Sequence, residues 1–331
     1  MKIGIAGLGF MGITHLNAYF DLPGVDLAAI SSHNPRALSG DFSRIGGNLE
    51  RPKVQHDLSN VKKYSRIADF LADPELDAID VCLPTDLHAD LAVAALTAGK
   101  HVVCEKPMAL TPVDCDRMIA AAEANNRVLM IAQVLRFWPE YLYLQNFAAS
   151  GEYGPIRSAT FVRRSGIPDW SGWLPDALRS GGALLDMLIH DIDQILLLFG
   201  PPDRVVAKSM GGPDTVAASF LYANGPEVRL QGGWFEAGTP FSMSFQVRAD
   251  RASLELTSTG LFLSDQAGQR NKIELPQEDP FRSEIAYFTQ CCKENTPPTR
   301  CLPRDSAKAV EIALLLAQSR AEGGAHLNVR T

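Results

Sequence analysis

A carboxylate and an imidazole stand four residues apart in the segment from Gly181 to Asp193. At 3.6 residues per turn, Asp186 and His190 fall on one face of a helix, and Asp193 lies one turn further along. Apolar residues occupy the adjacent face, so this helix can pack and still present its polar groups. A histidine that titrates near neutral pH suits a general base, and a nearby carboxylate can bind substrate hydroxyls. The alternative is an ordinary pair of surface side chains.

The first thirty residues have the pattern of a strand, a glycine-rich turn, a helix and a second strand. In that turn, the first glycine permits the tight bend, the second lets the backbone approach a pyrophosphate, and the third allows close helix packing. The helix N-terminus adds partial positive charge. The segment therefore predicts a dinucleotide site, and the residues that form it are Gly7, Gly9, Phe10, Met11 and Gly12.

The end of the second strand decides which dinucleotide fits, because a carboxylate there binds the ribose 2′-hydroxyl of NAD. This chain has Ser31, Ser32, His33 and Arg36 there, and the nearest acid, Asp26, stands at the beginning of the strand. Hydroxyls with a histidine and an arginine suit a 2′-phosphate. The sequence favours NADP slightly over NAD, the alternative being that these residues only form the turn before a helix.

Strands and helices go on alternating to residue 134, which predicts an α/β fold with a doubly wound parallel sheet of the Rossmann type. Thr111 is expected to cap a helix that begins at Pro112. Residues 39–65 break the pattern and are expected to form a surface loop with at most one short strand, with no assigned role.

Ligands bind outside the carboxyl ends of parallel strands, and two short motifs fall there. One is Pro84-Thr85-Asp86-Leu87-His88 and the other is Glu105-Lys106-Pro107. A solvated turn is the ordinary interpretation of a Glu-Lys pair. The Glu-Lys pair is expected at the same edge of the sheet as the glycine-rich turn. This position favours a lysine that faces cofactor and substrate.

Together these motifs resemble those of the Gfo/Idh/MocA family of NAD(P)-dependent oxidoreductases, which includes glucose-fructose oxidoreductase and inositol dehydrogenase. The resemblance rests on the glycine loop, the Glu-Lys-Pro motif and the Gly-Gly, Asp, His, Asp spacing that begins at Gly181. It implies a dinucleotide-binding Rossmann domain at 1–134 and a substrate-binding and oligomerisation domain at 135–304. The second domain is expected to be α/β with an open, mainly antiparallel sheet. The helix within 305–331 is a candidate to pack back on the first domain.

The resemblance also implies roles for individual residues. Lys106 is expected to be the catalytic lysine, with Asp186 and His190 as its partners, and the substrate is expected between the domains. The positions expected near the nicotinamide are Pro84, Thr85, His88, Glu105 and Lys106. We assign His190 as the base and Lys106 as the group that holds the reacting oxygen, and the identity of the final proton acceptor stays open. Hydride transfer needs no metal, so we predict none.

The second half of the chain changes to strands joined by turns. A loop before the polar helix carries Trp170 and Trp173, whose rings could stack on a sugar or cyclitol, although tryptophan as often closes a core. Arg136 is expected to contact substrate or cofactor. Arg163 and Arg164 are expected in surface salt bridges, the alternative being that they bind a carboxylate substrate.

The composition is that of an ordinary globular protein, with 331 residues, 46% hydrophobic content and a net charge of −7. This charge argues against nucleic acid or an anionic membrane as a partner. The six cysteines show no zinc or C-x-x-C spacing and are typical of a reducing compartment, so a cytoplasmic protein is expected. The resemblance further implies a homo-oligomer, a dimer or tetramer.

We therefore predict an NAD(P)-dependent dehydrogenase that moves a hydride between a nicotinamide cofactor and a hydroxyl of a sugar, cyclitol or related polyol. One alternative is a glycoside hydrolase or lyase that uses a retained NAD. Another is a non-catalytic dinucleotide-binding sensor. The specific substrate and the reaction direction stay open.

Overall fold

The computed structural model describes residues 1–47 and 56–330. Contacts within the chain divide it into two units, residues 1–134 with 279–307 and residues 135–278 with 308–331. Each unit has its own β-sheet. None of the helices in these described ranges is long and apolar enough to span a bilayer.

The strands of the two sheets follow one another along the chain. They are β1 (Lys2–Ala6), β2 (Asp26–Ser31), β3 (Lys62–Tyr64), β4 (Ala78–Val81), β5 (His101–Glu105), β6 (Leu129–Ala132), β7 (Ile156–Gly166), β8 (Arg204–Lys208), β9 (Asp214–Leu221), β10 (Glu227–Phe235), β11 (Ser242–Ala249), β12 (Ala252–Thr257), β13 (Gly260–Asp265), β14 (Arg270–Lys272) and β15 (Leu327–Asn328).

The α-helices alternate with the strands in the first unit and are fewer in the second. They are α1 (Phe10–Phe20), α2 (Pro35–Leu38), α3 (Ile67–Leu71), α4 (His88–Thr97), α5 (Pro112–Ala124), α6 (Pro139–Ser150), α7 (Ala177–Ser180), α8 (Gly182–Asp186), α9 (Ile189–Phe199), α10 (Pro280–Glu294) and α11 (Pro303–Ala321).

The first sheet is wholly parallel, with the order β3-β2-β1-β4-β5-β6. Its central strands are buried on both faces, as expected for a sheet covered by crossover helices. The strand order reverses between β1 and β4, which is where such folds bind ligands. The predicted α/β doubly wound sheet is confirmed. Thr111 caps α5 by accepting the Asp114 backbone N–H at 3.1 Å, also as predicted.

The described parts of the segment between α2 and β3 contact α1. Gly47 lies directly against the ring of Phe10, and the His56 ring stacks on Phe20 with the centroids 4.1 Å apart. In the described part of 39–65, β3 is the one strand, which agrees with the prediction. The stretch 48–55 of that loop lies outside the described residues.

The second unit is built on a nine-stranded sheet with the order β14-β13-β12-β11-β7-β10-β9-β8-β15. The pairing of β7 with β10 is parallel, and the other pairings are antiparallel. This confirms the predicted mainly antiparallel sheet. The helices α8 and α9 pack against β10. Residues 308–331 group with this unit, where β15 pairs with β8.

Candidate active site

The glycine loop joins the end of β1 to the start of α1. Gly7 has a φ of +98°, and a Cβ there would collide with the carbonyl oxygen of Cys82. A Cβ at Gly12 would collide with the carbonyl oxygen of Gly7, whereas a Cβ at Gly9 would meet no atom within 4 Å. Gly7 and Gly12 therefore serve the tight turn, and Gly9 leaves backbone open at the N-terminus of α1. These residues fit the pyrophosphate of a dinucleotide.

The residues predicted to contact the adenosine ribose begin at the last residue of β2, and they are Ser31, Ser32, His33 and Arg36. Ser31 is buried, whereas the other three are at least partly exposed. The Ser32 hydroxyl accepts the Asn34 backbone N–H at 3.1 Å and so shapes the turn. Arg36 Nε lies 3.4 Å from a carboxylate oxygen of Asp41 at the surface. Asp26 stands at the exposed start of β2, as the sequence indicated.

Two of the positions expected near the nicotinamide follow β4. Thr85, which comes directly after Pro84, is buried, and its hydroxyl has no hydrogen-bond partner among the described residues. An unsatisfied buried hydroxyl beside the glycine loop is the kind of group that a bound ligand completes.

His88 is also buried, and its ring bridges two loops. Its Nδ1 lies 2.9 Å from the carbonyl oxygen of Pro107, and its Nε2 lies 2.8 Å from that of Leu83. Burial lowers the pKa of His88, although the two carbonyls act in the opposite direction. His88 therefore joins the loop after β4 to the Glu-Lys-Pro loop and does not offer its ring to solvent.

Lys106 follows β5 at the same edge of the sheet and is half-buried. Its backbone N–H donates to Glu105 Oε2 at 3.0 Å. Burial alone would raise the pKa of the Glu105 carboxyl, but His15 and Lys106 outweigh burial and lower it. Glu105 is therefore a buried carboxylate that holds the backbone of Lys106.

Asp186 and His190 lie in the second unit, on two successive helices. The Ala183 carbonyl oxygen accepts the backbone N–H of Met187 at 3.0 Å and that of Leu188 at 2.9 Å. The second bond spans five residues, so the helix is interrupted by a π-type turn between α8 and α9. The prediction of one continuous helix was wrong. Both side chains are nevertheless partly accessible.

The start of α8 depends on two glycines and an aspartate. Gly181 and Gly182 have φ values of +78° and +72°, which side chains rarely allow. Asp214 Oδ2 accepts the Ala183 backbone N–H at 2.7 Å, and Arg320 of α11 donates to Asp214 Oδ1 at 2.5 Å. The glycine pair indicates a sharp turn in the sequence. No sequence pattern indicates that Asp214 and Arg320, which are distant along the chain, hold this turn.

Two buried ion pairs hold the start of α9. Arg163 on β7 binds Asp191 through contacts of 2.6 and 3.2 Å. Arg136 binds Asp193 through contacts of 2.9 and 2.7 Å. The expectation of a surface salt bridge was wrong for Arg163, whose side chain is 4% exposed. Arg136 is equally buried against Asp193, so the substrate contact predicted for it gains no support. Both aspartates follow His190 in α9, and the two pairs hold the helix turn that carries it.

Trp170 and Trp173 lie in the irregular segment between β7 and α7. Trp170 is 37% exposed, and Trp173 is half-buried. Both rings are therefore at least partly accessible to a ligand. Lys106 and the glycine loop belong to the first unit, whereas Asp186, His190 and the tryptophans belong to the second.

Comparison with known proteins identifies the family. Residues 1–133 match the NAD-binding Rossmann domain of the Gfo/Idh/MocA oxidoreductases, and residues 141–255 match the C-terminal domain of the same family. The chain belongs to the Gfo/Idh/MocA family. The resemblance inferred from the motifs is thereby confirmed.

Individual relatives of this Gfo/Idh/MocA protein cover much of its length. The uncharacterized oxidoreductase ORF334 of Rhizobium meliloti is 35% identical over 64% of this chain and 66% of its own length. Myo-inositol 2-dehydrogenase of Thermotoga maritima is 26% identical over 90% of each chain. The structure of levoglucosan dehydrogenase in complex with NADH has a TM-score of 0.84 over 100% of this chain and 99% of its own, at 21% identity. That structural likeness shows the shared fold.

Proposed function

We propose that this protein is an NAD(P)-dependent dehydrogenase that oxidises a hydroxyl group of a sugar, cyclitol or related polyol. The observation that carries the proposal is the carboxyl edge of the first sheet, where the glycine loop follows β1 and Lys106 follows β5. Only β4 separates these strands, so the two features are about 10 Å apart at a strand spacing of about 4.8 Å. The names of relatives such as myo-inositol 2-dehydrogenase and levoglucosan dehydrogenase support a polyol substrate.

The proposed chemistry follows from the residue types. A bound nicotinamide dinucleotide would accept the hydride. The ammonium of Lys106 binds the reacting oxygen and stabilises the negative charge that develops on it. His190 takes the hydroxyl proton, which is typically worth about 10²- to 10⁴-fold in rate, and Asp186 binds neighbouring hydroxyls. Two buried ion pairs keep the helix turn of His190 in place for this step.

The decisive experiment is a panel of sugars, cyclitols and polyols tested with NAD and NADP, followed by the absorbance of the reduced nicotinamide. Net reduction of added cofactor supports the dehydrogenase. Substrate cleavage without net reduction would favour a hydrolase or lyase that retains NAD. Cofactor binding with no turnover on the whole panel would favour a sensor.

We also propose that NADP is the preferred cofactor. No carboxylate is present between Ser31 and Arg36 to receive a ribose 2′-hydroxyl, and the exposed guanidinium of Arg36 can pair with a 2′-phosphate. Replacing Arg36 by Ala should weaken NADP binding about tenfold and leave NAD binding nearly unchanged. Arg66→Ala, another exposed arginine with a local acidic partner, is the control. Tighter binding of NAD than NADP by the unmodified protein would contradict this proposal.

The cellular setting is likewise a proposal. Among the described residues, none of the six cysteines forms a disulfide bond, and five of them are buried, which agrees with a reducing cytoplasm. We expect a homodimer or homotetramer, and light scattering after gel filtration measures the oligomeric mass.

A further inference from the structure

A buried group of ionisable side chains lies inside the first unit and takes no part in the chemistry proposed above. We call it the His15 cluster, and it comprises His15 and Tyr19 of α1, Asp80 of β4, Cys82, Glu105 of β5 and Glu284 of α10. Most of these side chains come from elements that surround the glycine loop and the Glu-Lys-Pro motif. Such groups are costly to bury without partners, so their arrangement calls for an explanation.

His15 occupies the centre of the cluster. Its Nδ1 lies 2.8 Å from Asp80 Oδ2, which also accepts the Tyr19 hydroxyl at 3.0 Å. The Cys82 thiol donates to the other Asp80 oxygen at 3.2 Å. On the opposite side of the ring, His15 Nε2 lies 3.1 Å from Glu105 Oε1. That approach is outside hydrogen-bond geometry, so it is an ion-pair contact. The ring thus bridges two carboxylates on neighbouring strands.

The charges in the cluster follow from this geometry. Burial by itself lowers the pKa of His15, but the Asp80 carboxylate, with smaller help from Cys82, raises it well above the usual value. Burial raises the pKa of the Cys82 thiol and that of the Glu284 carboxyl, so both are protonated. His15 is therefore an imidazolium between the carboxylates of Asp80 and Glu105.

The distances in the His15 cluster fit direct hydrogen bonds better than they fit a bound metal ion. Within the described ranges, His15, Asp80 and Cys82 form the one group of three or more side chains of the metal-ligand type whose ligand atoms all lie within 4.8 Å of one another. Ligand atoms around a tetrahedral zinc ion, at bond lengths of about 2.1 Å, are roughly 3.4 Å apart. The 2.8 Å between His15 Nδ1 and Asp80 Oδ2 is instead a direct hydrogen-bond distance.

We propose that His15 is a positioning residue for Lys106 that acts through Glu105. The Glu105 carboxylate is held at both oxygens, with Oε1 against His15 and Oε2 accepting the backbone N–H of Lys106. A carboxylate held in this way fixes the backbone from which the Lys106 side chain extends. Because His15 lies on α1, the same contact ties the helix behind the glycine loop to the lysine. The proposal rests on the catalytic role proposed for Lys106, and a misplacement of about 1 Å there can cost about 10²-fold in rate.

The kinetic test compares two substitutions within the cluster. His15→Asn removes the imidazolium. Tyr19→Phe removes one hydrogen bond from a neutral donor to Asp80 and leaves the His15–Glu105 contact in place. We expect His15→Asn to lower kcat at least tenfold while the Kd for the dinucleotide changes less than about threefold. Tyr19→Phe is expected to lower Tm without a comparable loss of kcat. Equal kcat losses in the two variants would show that His15 has only a structural role.

A double substitution tests whether His15 acts through Glu105. Glu105→Gln retains an oxygen that can accept the Lys106 N–H but removes the charge that faces His15. If His15 acts by this route, the double variant should be no slower than the slower single variant. Losses that multiply would overturn the proposal. Glu105→Gln also serves as the test variant if His15→Asn does not fold.

A third measurement does not depend on finding the substrate. In protein labelled with ¹⁵N-lysine, the Lys106 amide signal is assigned by its absence in Lys106→Arg, and its hydrogen exchange is then followed by NMR. His15→Asn should accelerate exchange at this amide, and Tyr19→Phe should not. Unchanged exchange in folded His15→Asn refutes the positioning role. An inactive unmodified protein with accelerated exchange in His15→Asn would instead refute the proposed function alone.

Discussion

Replacing Asp191 by Asn should destabilise the second unit strongly, because it leaves the Arg163 guanidinium buried without a counter-charge. The amide keeps the size of the carboxylate, so the change is one of charge and hydrogen bonding. The side chains of Arg163 and Asp191 are 4% and 0% exposed, so water cannot take the place of the lost partner.

The magnitude can be worked from the two contacts that Asp191 makes. They measure 2.6 and 3.2 Å, and hydrogen bonds to charged groups contribute about 1.5–3 kcal/mol each. The Tyr141 hydroxyl, 3.4 Å from Arg163 Nη2, is neutral and cannot replace the carboxylate. Breaking a buried ion pair by removing one partner typically costs about 3–5 kcal/mol. At about 2–4 °C per kcal/mol, Tm should fall by roughly 6–20 °C.

Tryptophan fluorescence in a urea titration is a selective assay for this effect. All four tryptophans, at positions 138, 170, 173 and 234, lie in the second unit. Asp250→Asn is the matched control, because Asp250 also binds an arginine, Arg157, at 2.6 Å but at the exposed surface. No measurable change is expected there.

A urea midpoint that Asp191→Asn shifts no more than Asp250→Asn does would show that burial of the Arg163–Asp191 pair does not determine stability. A further variant sharpens the result. Combining Arg163→Met with Asp191→Leu removes both charges and should restore most of the lost stability. If the double variant is as unstable as Asp191→Asn, packing around the pair determines the effect and the charges do not.

Other expectations concern turnover, cofactor binding and pH. Lys106→Ala and His190→Ala should each lower kcat at least tenfold with nearly unchanged dinucleotide Kd, measured by steady-state kinetics and calorimetry; unchanged turnover in both variants would contradict their assignment. Gly9→Ala should weaken dinucleotide binding with little loss of Tm, because a Cβ there meets no atom, whereas Gly12→Ala should lower both. Equal Tm losses would contradict this interpretation of the loop. The pKa of His15 is raised in the folded protein, so its stabilising effect is complete below the unfolded pKa of about 6.5 and disappears as pH rises through the folded value. His15→Asn should therefore cost more unfolding free energy at pH 6 than at alkaline pH, as followed by circular dichroism, and a constant difference would show that His15 carries no charge.

The elements that repeat a local pattern could be predicted from the sequence. The parallel sheet, the glycine turn and the Thr111 cap each depend on residues close together in the chain, and each is present. The positions of Lys106 and Thr85 after their strands follow from the same local reasoning.

Long-range charge pairing could not be predicted in this way. Nothing local distinguishes Arg163, which is buried against Asp191, from an arginine on the solvent face of a strand. The interruption of the helix after Asp186 also has no local signal in the sequence. Met187 and Leu188 are ordinary helix residues, and the π-type turn depends on tertiary packing. His15 was overlooked because its partners, Asp80 and Glu105, lie on separate strands.

The cap on α8 has a consequence for the order in which the molecule is completed. Asp214 receives Arg320 only after more than one hundred further residues have been synthesised. During synthesis, the residues of α8 and its cap Asp214 therefore leave the ribosome before Arg320, whose guanidinium pairs with Asp214. An unfinished polypeptide should therefore hold that helix loosely, and the substrate contact proposed for Asp186 should form only once the final helix has folded.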